Sequence, residues 1–570
     1  MKIFLRNSVL AVALGLLAFG AVPFSGTARA TEATPAAPAE GTPAQTDSQD
    51  DPDENAEPAE PPARRYAPMS AEGNLTATRP TLTEFPEVLL AAAKHTRVNP
   101  QGVVISIVPV GRPDRPVLAW RDAVPHKPAS TAKLVTTLAA LETLGASHRW
   151  YTGFYATSQP DRRGVLKGGL WIRGGGDPAF VVEDFALEIE RLAALGVKRI
   201  EGNVTVDRSL FAVPAVDPGA FDGRASRPYN LPPDAALVNY RAITLEFTPD
   251  PAKGVANVVM LPPLAGVTVP KTIKLSRGGC GDWKTSIGFK LVKGPKDTKR
   301  VVLSGTLPAR CGAKNFSVIA LEADEYFERL FRELWERDGR KWTGRVVAGP
   351  VPENAERILL RMSPTLAEVT ALTNKWSNNT MARQILLSLG VHRVGKAFEA
   401  ERKAKAEAEK SAPAKKTAQK KTPEKAPLVF PPTATIEDAR AELRDWMASR
   451  GIPADEITID NGSGLSRETR VTGRAMTRLL AAGFSGPYMP EYLASLPITG
   501  KDGTMARRHY APEEGRIKTG YLNDVRSIGG YIHAQNGERY AVYASVEGEK
   551  NVPNGIAFLN AVIDWVYWLD

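Results

Sequence analysis

The sequence predicts an α/β (α+β) protein: a central antiparallel sheet with helices on both faces, split in the chain by a β-rich insertion. Three observations lead there. An apolar run over 134–144 repeats at helical spacing through Leu134, Leu138, Leu141 and Leu144, directly after Ser130 and Lys133. Strand-like runs stand at both ends of the folded part, at 102–109 and 116–120 and again from Lys518 onward. Between those ends lies a long series of short alternating runs separated by turn residues, which reads as a unit inserted into another domain.

Taken in order, the chain opens with Lys2 and Arg6 before an apolar stretch, 9–22, and then the small-x-small site Ala28-Arg29-Ala30. This is the pattern of a secretory signal peptide over 1–30, too short for a comfortable membrane span. The mature protein is expected to start near Thr31, soluble and outside the cytoplasm, in the periplasm. Residues 31–80 are rich in Pro, Ala, Glu, Asp and Thr, with an acidic middle at Asp47, Asp50, Asp51, Asp53 and Glu54. Such a segment has too little apolar surface to offset the entropy of ordering, so a disordered tether is expected.

The remainder is too long for one ordinary domain, and a 43% hydrophobic share supports two or three packed units. A formal charge of +10 raises nucleic acid as a partner, but no stretch interleaves basic and aromatic residues as nucleic-acid modules do. Secretion argues against that partner too, and an acidic wall polymer suits the charge better.

Residues 85–98 read as a helix with Val88, Leu89, Ala92 and Ala93 on one face, followed by a strand at 102–109 and its hairpin partner at 116–120. The β-like runs at 164–173, 200–207, 242–247, 255–261, 267–275 and 286–292 define the insertion, placed at 164–351. The catalytic part is therefore expected in two pieces, 81–163 and 352–570. Cys280 and Cys311, the only cysteines, both fall in the insertion, and an oxidising compartment makes a disulfide the default. Paired Cys/His spacing for a metal is absent. Helices are expected at 319–335, 367–372, 381–389 and 436–449. A low-complexity run over 396–432, rich in Lys, Ala, Glu and Pro, is read as a solvated, partly helical insertion; the alternative is a polycation touching an anionic envelope. Residues 556–569 close the chain as a helix.

Three short motifs carry chemistry. In Ser130-Thr131-Ala132-Lys133 the serine and lysine share a helix face. A serine hydroxyl needs a base, and a lysine is one only when burial and a helix N-terminus lower its pKa. Alone, the same four residues read more readily as a helix cap with a solvated lysine, and the downstream motifs decide the matter. Ser377-Asn378-Asn379 lies between two helical stretches, where a turn would let Ser377 and Asn379 face one cleft. Lys518-Thr519-Gly520 opens a strand: Gly520 clears space for a substrate backbone, and Lys518 and Thr519 suit a terminal carboxylate.

Ser-x-x-Lys, Ser-x-Asn and Lys-Thr-Gly in this order form the signature of the penicillin-recognising serine enzymes. The chain resembles the D-alanyl-D-alanine carboxypeptidases among the low-molecular-mass penicillin-binding proteins, and within them the subgroup that is also a DD-endopeptidase and carries large inserted domains. The long gap from Lys133 to Ser377 supports the subgroup, as do Asp460-Asn461-Gly462-Ser463-Gly464-Leu465-Ser466-Arg467, the stretch from Leu496 to Met505, and Gly174-Gly175-Gly176-Asp177-Pro178.

The resemblance implies a penicillin-binding/serine β-lactamase-like fold and hydrolysis of peptidoglycan peptides ending in D-Ala-D-Ala, with β-lactams as inhibitors and no metal or organic cofactor. It implies Ser130 as the acylated nucleophile, Lys133 as its base, and Ser377 and Asn379 as the second element. Lys518, Thr519 and Gly520 would bind the carboxylate, the Tyr521 amide would join that of Ser130 at the oxyanion, and Arg467 would stand on the cleft rim. Tyr521 departs from the small hydroxyl residue common there, and its ring is expected to narrow the site. A serine β-lactamase and a catalytically idle wall-binding scaffold remain as alternative functions.

Overall fold

The computed structural model describes residues 81–214, 216–411, 428–508 and 512–569. The expected signal peptide, the acidic tether and most of the low-complexity run lie outside these residues. Among the described residues no helix is long and apolar enough to cross a membrane.

The first sheet joins the two ends of the chain. Its strand order is Leu118–Trp120, Val103–Pro109, Arg539–Glu547, Val525–His533 and Gly515–Leu522, antiparallel throughout. Successive side chains in a strand point to opposite faces, and this sheet is buried on both. Val542, Ala544 and Val546 join Val103, Ile105 and Ile107 in one core with Leu89, Phe558, Leu559 and Val562, from the helices Glu87–Thr96 and Val552–Tyr567. The alternate residues Ala541, Tyr543 and Tyr531 face the opposite core, with Leu134, Leu138 and Leu141 of the Lys133–Leu144 helix and Leu479 and Leu480 of the Gly473–Ser485 helix. A one-residue slip of register would exchange the two faces. Gly529 lets the Lys133–Leu144 helix close on the sheet, since a Cβ there would sit 2.7 Å from Leu134 Cδ1.

The middle of the chain builds separate sheets. A mixed five-stranded sheet runs Val346–Ala348, Val204–Asp207, Leu170–Arg173, Tyr151–Ala156 and Glu356–Met362. A three-stranded parallel sheet pairs Lys341–Trp342, Arg199–Glu201 and Val165–Lys167. A seven-stranded sheet gathers the strands from Ala242 to Ile319. These share one core, including Phe154, Phe185, Phe247, Phe331 and Trp335, distinct from the two cores of the first sheet. Cys280 and Cys311 are bonded to each other at its margin.

The expected edges of the insertion, 164 and 351, meet a different arrangement. Tyr151–Ala156 and Glu356–Met362 pair with each other inside the mixed sheet, so its strands begin before 164 and end after 351. The middle is also less purely β: Val182–Ala194 is a helix, with Phe185, Ile189 and Leu192 buried on one face. The low-complexity run starts inside a 33-residue helix, Asn379–Ser411, and the chain returns at Leu428, whose amide donates to the carbonyl of Glu353.

Candidate active site

The site is assembled at one edge of the first sheet. Ala129, in left-handed backbone at φ 48°, turns the chain into a short 3-10 turn, Ala129–Ala132, that leads into the Lys133–Leu144 helix. The turn is tied to the sheet through the Pro128 carbonyl, which accepts from Thr131 Oγ1 and from Ser527 Oγ, both at 2.6 Å. Ser130 is 7% exposed at the mouth of the cleft, and Lys133 is fully buried beneath it.

Lys133 Nζ has three partners: Ser130 Oγ at 3.0 Å, Asn379 Oδ1 at 2.6 Å and the Ser463 carbonyl at 2.7 Å. Burial, then the Lys518 and Arg383 charges, hold its pKa well below the ordinary lysine range. A neutral amine has two N–H groups and one lone pair. The carbonyl oxygens of Asn379 and Ser463 can only accept, so they take the two N–H groups, and the lone pair is left for the Ser130 hydroxyl proton. Such an arrangement is able to activate a serine hydroxyl.

Ser377 and Asn379 reach the same cleft because the chain between the helices Leu366–Lys375 and Asn379–Ser411 is not helical: Ser377 takes φ 58°. Left-handed backbone at a residue other than glycine is strain of the kind that clusters at working sites. Asn378 points the other way and caps the second helix, its Oδ1 accepting from the Met381 amide at 3.0 Å. Lys518 is fully buried and donates to Ser377 Oγ and to the Thr519 carbonyl, each at 2.8 Å. Burial pushes its pKa down to about 7. Thr519 Oγ1 donates to Thr504 Oγ1 at 2.8 Å.

Gly520 also lies against the turn that carries Ser130. A Cβ there would meet Ser527 Oγ at 2.2 Å, the Pro128 carbonyl at 2.8 Å and Ala129 Cβ at 3.1 Å. The missing side chain thus admits the 3-10 turn that carries Ser130 against the edge strand. Among the described residues no group of three or more His, Cys, Asp and Glu side chains converges as metal ligands do.

Over most of its length, residues 93–410 and 431–562, the sequence matches the D-Ala-D-Ala carboxypeptidase 3 (S13) family. The chain belongs to this family. It is 25% identical over 513 residues to the D-alanyl-D-alanine carboxypeptidase of Actinomadura sp. (strain R39), covering 84% of each chain. To the D-alanyl-D-alanine carboxypeptidase DacB of Haemophilus influenzae it is 20% identical over 428 residues, 74% of this chain and 80% of the other. The crystal structure of penicillin-binding protein 4 (dacB) from Haemophilus influenzae superposes with a TM-score of 0.62 at 17% identity, covering 84% of this chain and 99% of that one. The same protein complexed with a novel β-lactam gives 0.60. The S13 chain therefore has the penicillin-binding fold.

In this S13 carboxypeptidase the insertion enters the cleft. Arg467, exposed on the glycine-rich segment, donates to the Phe221 carbonyl at 2.9 Å, with its guanidinium 5.1 Å from the Phe221 ring centre. Phe221 and Tyr229 pack on Ala129, Leu465, Leu522 and Val525. The Tyr521 ring does not stand free in the cleft: it lies against the guanidinium of Arg526, its cross-strand partner. Three participants escaped the sequence motifs. Two are main-chain carbonyls, of Ser463 on Lys133 and of Tyr229 on Asn379 Nδ2 at 3.3 Å, and no residue type announces a carbonyl. The third is Arg383, whose place one turn beyond Asn379 was the available signal.

Proposed function

We propose that this S13 peptidase cleaves D-Ala-D-Ala bonds of peptidoglycan stem peptides through an acyl ester on Ser130, with DD-endopeptidase action on cross-links, in the periplasm. The observation that carries the reading is Lys133, buried with two carbonyl acceptors and one hydroxyl.

Lys133 takes the Ser130 proton as Oγ attacks the penultimate D-Ala carbonyl. The oxyanion is held by the amides of Ser130 and Tyr521. Ser377, already paired to Lys518, hands its hydroxyl proton to the departing D-Ala amine and takes back the one that Lys133 removed from Ser130, so the base is neutral again. Lys518 and Thr519 hold the terminal carboxylate, Asn379 steadies the base and faces the substrate, and Arg467 lines the rim. Water then attacks the ester carbonyl, Ser130 recovers its proton, and the shortened peptide leaves. A β-lactam enters as an acyl donor whose leaving group stays attached, so its ester on Ser130 persists.

The test is incubation of the mature protein with a labelled penicillin, followed by intact-mass measurement and peptide mapping. We expect one adduct on the peptide bearing Ser130, absent in Ser130→Ala. A folded protein without adduct would overturn the reading in favour of a wall-binding scaffold. Rapid loss of adduct with turnover of the drug would replace it with a β-lactamase.

A further inference from the structure

Arg383 lies four residues beyond Asn379 on the same helix, one turn along the same side. Its Nη1 donates to the Leu231 carbonyl at 2.9 Å and to the Tyr229 carbonyl at 3.5 Å. The Tyr229 carbonyl also accepts from Asn379 Nδ2 at 3.3 Å, and Asn379 Oδ1 accepts from Lys133 Nζ at 2.6 Å. One polar path thus runs from the guanidinium, through a main-chain carbonyl of the inserted region, to the base.

The path has a directional consequence. A carboxamide has a donor end and an acceptor end. With the Tyr229 carbonyl on Nδ2, Asn379 must turn Oδ1 to Lys133. If that carbonyl withdraws, the amide is free to rotate and present N–H groups to the lysine, which would then have to spend its lone pair on Asn379 instead of Ser130.

We propose that Arg383 is a positioning residue for acylation: by clamping the carbonyls of Tyr229 and Leu231 it fixes the orientation of Asn379, and through it the lone pair of Lys133. The proposal rests on the Ser130–Lys133 reading above. Arg383 also acts by charge. The cations facing Lys133 are Lys518, from the edge strand, and Arg383, while Asp460 faces Arg383 and is itself held by Arg440. Both cations favour the neutral amine, so removing one raises the Lys133 pKa. Acylation requires neutral Lys133, and its acid limb then moves to higher pH.

The experiment measures the rate of Ser130 acylation by labelled penicillin against pH for the wild type, Arg383→Met and Arg383→Lys, with the thermal unfolding midpoint of each. Arg383→Met is expected to acylate at least about tenfold more slowly near neutral pH, as small misplacements of reacting groups do, with the acid limb displaced upward. Arg383→Lys keeps the charge and loses the two-carbonyl span, so its rate falls while its acid limb stays at the wild-type position. Arg383→Met with the wild-type rate and pH profile would overturn the proposal. So would a slower rate in both variants with lowered unfolding midpoints and no difference in acid limb. Should Arg383→Met fail to fold, the wild-type rate in Arg383→Lys overturns it alone. A wild type that forms no Ser130 adduct removes the underlying function as well, whereas a normal wild-type adduct beside unchanged variants removes the role of Arg383 only.

Discussion

Lys133 and Lys518 are both fully buried in one cleft, yet their surroundings assign them different work. Lys133 meets two carbonyls and a hydroxyl, and burial with two neighbouring cations holds its pKa well below the ordinary lysine range. Lys518 meets one hydroxyl and one carbonyl, and burial pushes its pKa down to about 7. Above that pH the free enzyme loses the ammonium charge that would attract a substrate carboxylate. We therefore expect kcat/KM for a D-Ala-D-Ala peptide to fall as pH rises past about 7. The same peptide as its C-terminal amide should show a weaker basic limb. Identical basic limbs for the two substrates would remove Lys518 from carboxylate binding. At this scale Ser130, Lys133, Ser377, Asn379 and Lys518 were legible in the sequence because their chemistry resides in side chains at fixed spacing. The carbonyls of Ser463 and Tyr229 were not, because every residue has one and only the fold selects which is used.

The glycine-rich segment 460–467 shows what an element without regular structure contributes. Gly464, at φ 81°, passes so close to the nucleophile turn that a Cβ would lie 1.8 Å from the Ala129 carbonyl. Its neighbour Ser463 supplies the carbonyl on Lys133, and Gly462 supplies one on Thr136 Oγ1 at 2.8 Å. Gly464→Ala is expected to lower stability by about 1–3 kcal/mol through backbone strain. It should slow acylation at least about tenfold by shifting the Ser463 carbonyl. Denaturant unfolding and the penicillin adduct rate read the two effects separately, and an unchanged rate would show that the Ser463 carbonyl does not set the base. The strands of the first sheet were readable as near-continuous apolar runs, because both of its faces are buried. The strands Tyr151–Ala156 and Glu356–Met362 were harder to assign, since their pairing spans the whole insertion and local pattern has no view of a distant partner. The helix Val182–Ala194 did carry its buried residues at helical spacing, and an expectation of strands and turns across that region passes over it.

At the scale of the molecule, the chain's two ends share a sheet while its middle keeps a core of its own. The Cys280–Cys311 bond belongs to that middle core, which contains none of the residues around Ser130. It closes a separation of 31 residues, worth about 3–4 kcal/mol on the chain-entropy view. A Cys280→Ser, Cys311→Ser double variant should therefore unfold at lower denaturant and still acylate at the wild-type rate. Loss of acylation in the folded variant would mean that the middle core reaches the cleft more strongly than its contacts indicate.

The Asn379–Ser411 helix sets a distance. It begins at the amide that touches Lys133, and 33 residues at 1.5 Å each carry it up to about 50 Å from there. Ions at physiological strength mute a charge within about 8 Å. Lys403, Lys405 and Lys410, exposed toward the far end of the helix, are thus electrically silent at the catalytic centre. Added salt should leave the rate of Ser130 acylation as it was.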